Sequence, residues 1–242
     1  LDKVFRPDVL DALLTARYVI DQLENERAVD FLMTGWLSVL EGVSNVFKEG
    51  NGVKYRNRKR TPSGYITVPW SSVAGFEADG WALVRKRLHA QYQLMLDDVQ
   101  FGANLPVPEI REESSVSGVS ALAPGSVSLA IFSPPYCNNF NYMKIFKVEL
   151  WMSGRVRTYA DIRAISGRAL RSHVEMRIDV PTHRTLPTEL YELIEALDTS
   201  ALWNKKIPNT ILAYFLDIRE ILVGAYRSLM PGGECHIVVG NS

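Results

Sequence analysis

Four consecutive residues, Ser133-Pro134-Pro135-Tyr136, carry the densest chemistry in this chain. They directly follow the apolar stretch Val127-Ser128-Leu129-Ala130-Ile131-Phe132, which reads as a buried strand. A strand that ends this way puts a hydroxyl, a carbonyl and an aromatic face at one rim of a sheet. The second proline restricts the backbone of the residue before it, so the Pro134 carbonyl has a fixed aim. Such a set suits a planar ring that bears an amino group. The lone pair of that amine is delocalised into the ring, which makes it a poor nucleophile. Acceptors placed around its two N–H bonds draw the nitrogen toward a tetrahedral shape and free the lone pair. Ser133 Oγ and the Pro134 carbonyl are the candidate acceptors, and Tyr136 can stack on the ring. Catalysis by this set is mostly positioning, with no covalent enzyme intermediate. A bare Ser-Pro-Pro-Tyr is also what a rigid turn after a strand looks like, so its setting decides between the two.

That setting is an α/β pattern. From Glu109 onward short apolar strands alternate with helices. Ile110 sits in a possible short strand, and Pro124-Gly125 turns the chain before Val127. After the motif comes Cys137-Asn138-Asn139-Phe140-Asn141-Tyr142, with three amides and two aromatics near the same rim. A helix is expected from about Asn141 to Met152, stopping at Gly154. Others are expected around Tyr159 to Ile165 and Glu189 to Leu197. A long one follows Pro208 and stops at Met230-Pro231-Gly232-Gly233, before a buried strand from Glu234 to Gly240.

The first hundred residues read differently. Pro7 to Glu24 and Ala28 to Phe47 have the spacing of core-facing helices, as does about Glu77 to Gln100. Between them lies Lys54-Tyr55-Arg56-Asn57-Arg58-Lys59-Arg60, the only dense basic run, in a stretch read as loop. Gly102 to Pro108 reads as a linker. The expected division is a helical subdomain with a basic loop over 1–103 and an α/β domain over 104–242.

Bulk properties set limits. The 242 residues carry 27 basic and 27 acidic side chains, so global charge gives no reason to expect nucleic-acid binding and only a local patch could. Two cysteines, Cys137 and Cys235, are too few for a disulfide framework and fit a reducing cytoplasm. The scattered histidines and these cysteines show no metal-ligand spacing. No apolar run approaches the roughly 20 residues that span a bilayer. The chain opens on Leu1 and closes just after a strand, so it reads as a fragment of a longer protein.

The succession of an apolar strand, Ser133-Pro134-Pro135-Tyr136, the Asn141-Tyr142 helix start with Glu149-Leu150-Trp151, and Leu229-Met230-Pro231-Gly232-Gly233 before a strand resembles the amino-methyltransferases among class I S-adenosylmethionine-dependent enzymes. The likeness covers roughly Glu109 to Ser242. In that family the catalytic turn ends the fourth strand of a Rossmann-like sheet, and a helix ending in Leu-x-Pro-Gly-Gly precedes the fifth. The resemblance implies a partial Rossmann-like sheet with an N-terminal helical subdomain. It implies S-adenosylmethionine as methyl donor, and cytosine N4 or adenine N6 of a flipped DNA base as acceptor. Ser at the first motif position is commoner in the cytosine-N4 enzymes. By the same resemblance Ser133, Pro134, Pro135 and Tyr136 are catalytic. A restriction-modification context, with a restriction or companion subunit, is implied too.

Within such an enzyme Lys54, Arg56, Arg58, Lys59 and Arg60 are candidate DNA phosphate contacts, with Tyr55 as a stacking residue and Asn138 and Asn139 as further nucleic-acid contacts. A second, dispersed basic group is Arg163, Arg168, Arg171, Arg177 and Arg184. One family feature is missing: a glycine-containing donor-binding turn, of the Pro-Phe-x-Gly-x-Gly kind, after a strand. Cys137 is separated from Pro135 by Tyr136, unlike the Pro-Cys pair of enzymes that methylate cytosine at carbon, so it reads as a packed thiol. An RNA base amino-methyltransferase and a non-catalytic DNA-binding companion are the competing readings.

Overall fold

A computed structural model describes residues 1–50, 52–76, 79–102, 106, 108–176, 178–179 and 185–240. In chain order its elements begin with helices α1 (Pro7–Asp21) and α2 (Glu26–Val43). Strands β1 (Val46–Glu49), β2 (Gly52–Tyr55), β3 (Arg58–Thr61) and β4 (Gly64–Thr67) follow, then helices α3 (Gly80–Gly102) and α4 (Ser115–Ser120). Strand β5 (Val127–Phe132) leads to α5 (Tyr142–Ile145), α6 (Lys147–Met152), α7 (Tyr159–Ser166), α8 (Thr188–Glu195), α9 (Ile207–Ser228) and β6 (Leu229–Ile237). The class is mixed α/β, with one parallel strand pair and two antiparallel hairpins among the described residues.

The chain divides into two compact units. One holds Leu1–Pro108 and Lys144–Thr158, the other Glu109–Met143 and Tyr159–Ser242. In the first, α1, α2 and α3 pack their apolar stripes together, and Phe5, Val9, Leu13, Trp36, Leu40 and Val43 are wholly buried. Trp36 keeps its polar edge satisfied by donating Nε1–H to the Leu13 carbonyl at 2.9 Å. Gly35 is required where α2 meets α3, because a Cβ there would lie 2.3 Å from the Tyr92 ring. The segment Lys144–Thr158 adds Val148 and Met152 to this core. Its Glu149 accepts from Lys48 Nζ at 2.5 Å, and the same ammonium lies 4.2 Å from the Phe146 ring centre.

The second unit is built around the parallel pair of β5 and β6. Val127 pairs with Leu229, then Leu129 with Glu234 through Phe132 with Ile237. The residues between, Met230-Pro231-Gly232-Gly233, bulge out of the ladder, with Gly232 at φ 81°. Behind β5, Phe132 packs with Leu170, Tyr214, Ile221 and Cys137. The alternate face is open: Leu129 is 48% and Ile131 66% exposed. Parallel strands are ordinarily covered on both faces, and here one face is bare among the described residues.

Several expectations change. The basic run is not loop. Lys54 and Tyr55 lie in β2 and Arg58, Lys59 and Arg60 in β3, each half of an antiparallel hairpin. Charged side chains are weak strand formers, so the hydrogen-bond ladders hold this structure where residue preference does not. The second helix ends at Val43, because Ser44 turns extended and β1 begins. The helix expected from Asn141 to Met152 is two short pieces interrupted at Phe146. Ile110 lies outside any strand and is 88% exposed. Strand β6 begins at Leu229, directly off the end of α9.

Candidate active site

The C-terminal end of β5 delivers Ser133 to the sheet rim. One more ladder bond, Val238 N–H to the Phe132 carbonyl at 3.0 Å, carries the pairing past the end of β6. This brings the Val238 carbonyl to Ser133, whose hydroxyl donates to it at 3.0 Å, while Ser133 itself stays exposed. A serine hydroxyl has one proton and two lone pairs. With the proton committed to Val238, Oγ is left as an acceptor. The next residue, Pro134, is buried, and no donor among the described residues reaches its carbonyl.

Tyr136 is half-buried, and a Cβ on Gly240 would lie 3.0 Å from its hydroxyl. The glycine therefore gives the phenol its room. Pro135 lines a cleft of about 320 Å³ with Glu113, Met143, Ile165, Arg168 and Leu170. Cys137 packs behind the turn, and burial pushes its thiol above the ordinary range, which suits a packing role and not a nucleophilic one. Burial first, and then its neighbours Cys137 and Tyr136, push the Tyr214 phenol up in the same way.

The amides after the turn divide their work. Asn139 holds the left-handed conformation at φ 64°, donates its N–H to the Ser172 carbonyl and accepts from Val174 N–H at 3.0 Å. Asn141 is buried, accepts from Met143 N–H at the start of α5 and donates to Glu175. Asn138 is exposed and caps Phe140 N–H. So Asn139 and Asn141 shape the loop, and Asn138 is the amide open to a ligand. Of the dispersed arginines, Arg171 is tied to Asp217 through both backbone and side chain, with Nη2 to Oδ1 at 2.5 Å. Arg163 and Arg168 are exposed; Arg177 and Arg184 lie outside the described residues.

In the first unit the basic run also divides. Lys54 pairs with Glu49 at 2.9 Å. Arg56 donates to the Ser44 and Glu41 carbonyls and lies over the Phe47 ring, so it braces the fold. Arg58, Lys59 and Arg60 are exposed, and none has a carboxylate partner among the described residues. Tyr55, the candidate stacking residue, is 37% exposed. The sequence reading missed Val238, Gly240 and Met143. Contacts through strand register and loop return leave no mark on residue spacing.

A methyl-donor cradle is not formed by the described residues. The one diglycine, Gly232-Gly233, belongs to the β6 bulge, and a Cβ on Gly233 would lie 3.0 Å from the Met230 carbonyl and 3.1 Å from that of Ser128. The glycine is there for close backbone packing, with no room for a ligand. The described residues do not fit the methyl donor. Among the described residues no group of three His, Cys, Asp or Glu could hold a metal ion, and no helix is long and apolar enough to cross a membrane.

Two curated proteins are similar to this chain: Type II methyltransferase M.AvaI from Nostoc sp. (strain PCC 7120 / SAG 25.82 / UTEX 2576) and Type II methyltransferase M.AvaI from Anabaena variabilis. Each is 22% identical over 231 residues, a match that takes in 90% of this chain and 48% of the relative. The chain thus spans about half the length of the curated relatives it matches. No protein-family model matches, and no solved structure matches.

Proposed function

We propose that this chain supplies the base-holding part of a site-specific DNA methyltransferase. The enzyme transfers a methyl group from S-adenosylmethionine to the exocyclic amine of cytosine N4 or adenine N6. Three things support this reading: the Ser133-Pro134-Pro135-Tyr136 turn at the end of a parallel strand, its likeness to the amino-methyltransferases, and the similarity to the two Type II methyltransferases. The observation that carries it is the hydroxyl proton of Ser133 committed to the Val238 carbonyl.

That commitment decides what Ser133 can do. Its Oγ accepts one N–H of the amine, and the Pro134 carbonyl, aimed by the following proline ring, accepts the other. Each bond draws electron density onto nitrogen and bends it out of the ring plane. Tyr136 stacks on the ring and Asn138 stands beside it. Because the amine is occupied in the duplex, the base leaves the helix before it is held. After transfer the nitrogen carries an extra proton, which passes to water at the exposed rim. The rate gain comes from holding and orienting the amine, so it is lost when the acceptors are removed.

In this reading the unit of residues 109–143 and 159–242 belongs to a Rossmann-like catalytic layer, and the unit of 1–108 and 144–158 is a helical subdomain that meets the DNA, with Arg58, Lys59 and Arg60 as its free cations. The enzyme works in the cytoplasm in a restriction-modification setting, alongside a restriction or companion subunit. The test incubates the complete gene product with duplex DNA and S-adenosylmethionine labelled in the methyl group, then separates the nucleosides. Label in N4-methylcytosine or N6-methyladenine is the expected result. Label in RNA alone, or in neither nucleic acid, would overturn the proposal.

A further inference from the structure

The hairpin of β3 and β4 has no core of its own. All of Arg58, Lys59, Arg60, Pro62, Ser63, Gly64, Tyr65, Ile66 and Thr67 are exposed, with Tyr65 60% and Ile66 50% accessible. An isolated two-stranded hairpin is marginal in water, so something else must order it. Its foot does. Asn45 and Asn57 exchange two hydrogen bonds, Nδ2–H to Oδ1 at 2.9 Å and backbone N–H to Oδ1 at 3.1 Å. The same two residues accept from Arg56 N–H and Val68 N–H, on either side of the ribbon. The ribbon is thus anchored at its base and stands out in solvent along its length.

Register sorts its side chains. Arg60 lies opposite Tyr65 and Arg58 opposite Thr67, so these four share one face, while Lys59 and Ile66 share the other. On the first face the Arg58 guanidinium sits 4.4 Å from the Tyr65 ring centre. Stacking fixes the plane of the guanidinium and leaves its edge donors directed away from the ring. No carboxylate among the described residues forms an ion pair with Arg58, Lys59 or Arg60. Arg58, Tyr65 and Thr67 of this face line a cleft of about 470 Å³ with Asp2, Lys3, Tyr55, Asn57 and Trp70. Asn57 is only 9% exposed, and its Nδ2 has no partner among the described residues, a donor left over once Asn45 is satisfied.

We propose that this ribbon enters the major groove of duplex DNA, with the Arg58–Tyr65–Arg60 face turned to the base edges, and is the element that reads the recognition sequence. A two-stranded ribbon fits a groove about 12 Å wide, and a planar arginine fork matches the paired acceptors of guanine. Lys59, on the opposite face, meets a phosphate. The cleft at the foot seats the backbone of one DNA strand, with Lys3 and Asn57 as donors. The proposal rests on the DNA-directed reading above but assigns a separate task, since the ribbon reads sequence and Ser133 holds the target base.

The test uses the complete gene product and a pool of random-sequence duplexes. Bound molecules are sequenced for enrichment, and methyl transfer is read on the same pool. Arg58→Ala and Arg60→Ala should each flatten preference at one guanine-containing position by about tenfold, with a thermal melt unchanged from the parent. Lys59→Ala should weaken all duplexes alike and lower the salt slope by about 1. If Arg58→Ala and Arg60→Ala keep the parent's sequence preference, the ribbon does not read bases and the proposal falls. Methylation of the parent's sites by those variants would leave the enzyme reading intact while sinking the ribbon. Sequence preference that depends on the ribbon in a protein that transfers no methyl would do the reverse. A parent protein that enriches no duplex at all overturns both.

Discussion

The helical unit buries Phe5, Val9, Leu13, Trp36, Leu40 and Val43 completely, while among the described residues the buried cluster behind β5 holds Leu170, Tyr214 and Ile221. The other face of β5 leaves Leu129 and Ile131 in the open. One unit is a closed scaffold that carries cations on an exposed ribbon. The other is an open sheet that carries the Ser133-Pro134-Pro135-Tyr136 turn on its rim and has a part-buried ion pair, Arg171–Asp217, behind it. The residues to which a role is proposed here, Ser133 on the sheet rim and Arg58 to Arg60 on the ribbon, are exposed in both units. Stability comes from elsewhere in each unit.

That contrast can be broken most severely in the helical core. Trp36→Ala removes a fully buried ring and its bond to Leu13, and should cost about 3–5 kcal/mol by denaturant titration. In the sheet unit Asp217→Ala leaves the Arg171 guanidinium without its carboxylate, with only the Asp179 carbonyl still accepting from it. A loss of about 3 kcal/mol is expected, with the Leu170 loop the first region to lose protection in hydrogen exchange. A loss under 1 kcal/mol would mean that the ion pair does not organise that unit.

Smaller effects sharpen the comparison. Burial raises the Cys137 thiol, so at any pH near neutrality less of it is thiolate than of an ordinary cysteine. Alkylation by iodoacetamide should therefore be slow at pH 8 and speed up only as pH rises beyond the ordinary thiol range. The exposed Cys235 in the same molecule should react first. Equal rates at the two cysteines would contradict the packed position of Cys137. The least change is expected at the uncovered face: Ile131→Thr should shift the stability of this chain by less than about 0.5 kcal/mol. A larger loss would mean that this face is covered in solution.

Strand β5 was plain in the sequence, because an apolar run bounded by Pro124-Gly125 and Ser133-Pro134 admits few other structures. The three long helices of the first unit and α9 were plain for the same reason of period and punctuation. The hairpins were not, since Lys54 and Arg58 to Arg60 disguise strands whose stability lies in pairing across the ladder. The break at Phe146 was hidden by an apolar pattern that continues through it. At the site, the motif residues could be named from sequence, but the partner that orients Ser133 could not. Val238 reaches it only through the register of β5 and β6, which follow one another after nearly a hundred intervening residues.

The most direct test is single-turnover methyl transfer to duplex DNA by the Ser133→Ala variant of the complete gene product, set beside its thermal melt. If Oγ is the acceptor that frees the amine lone pair, the rate should fall about a hundredfold or more with base binding and melting temperature little changed. A variant that transfers methyl at the parent rate would contradict the role given to Ser133, and with it the function proposed for this turn.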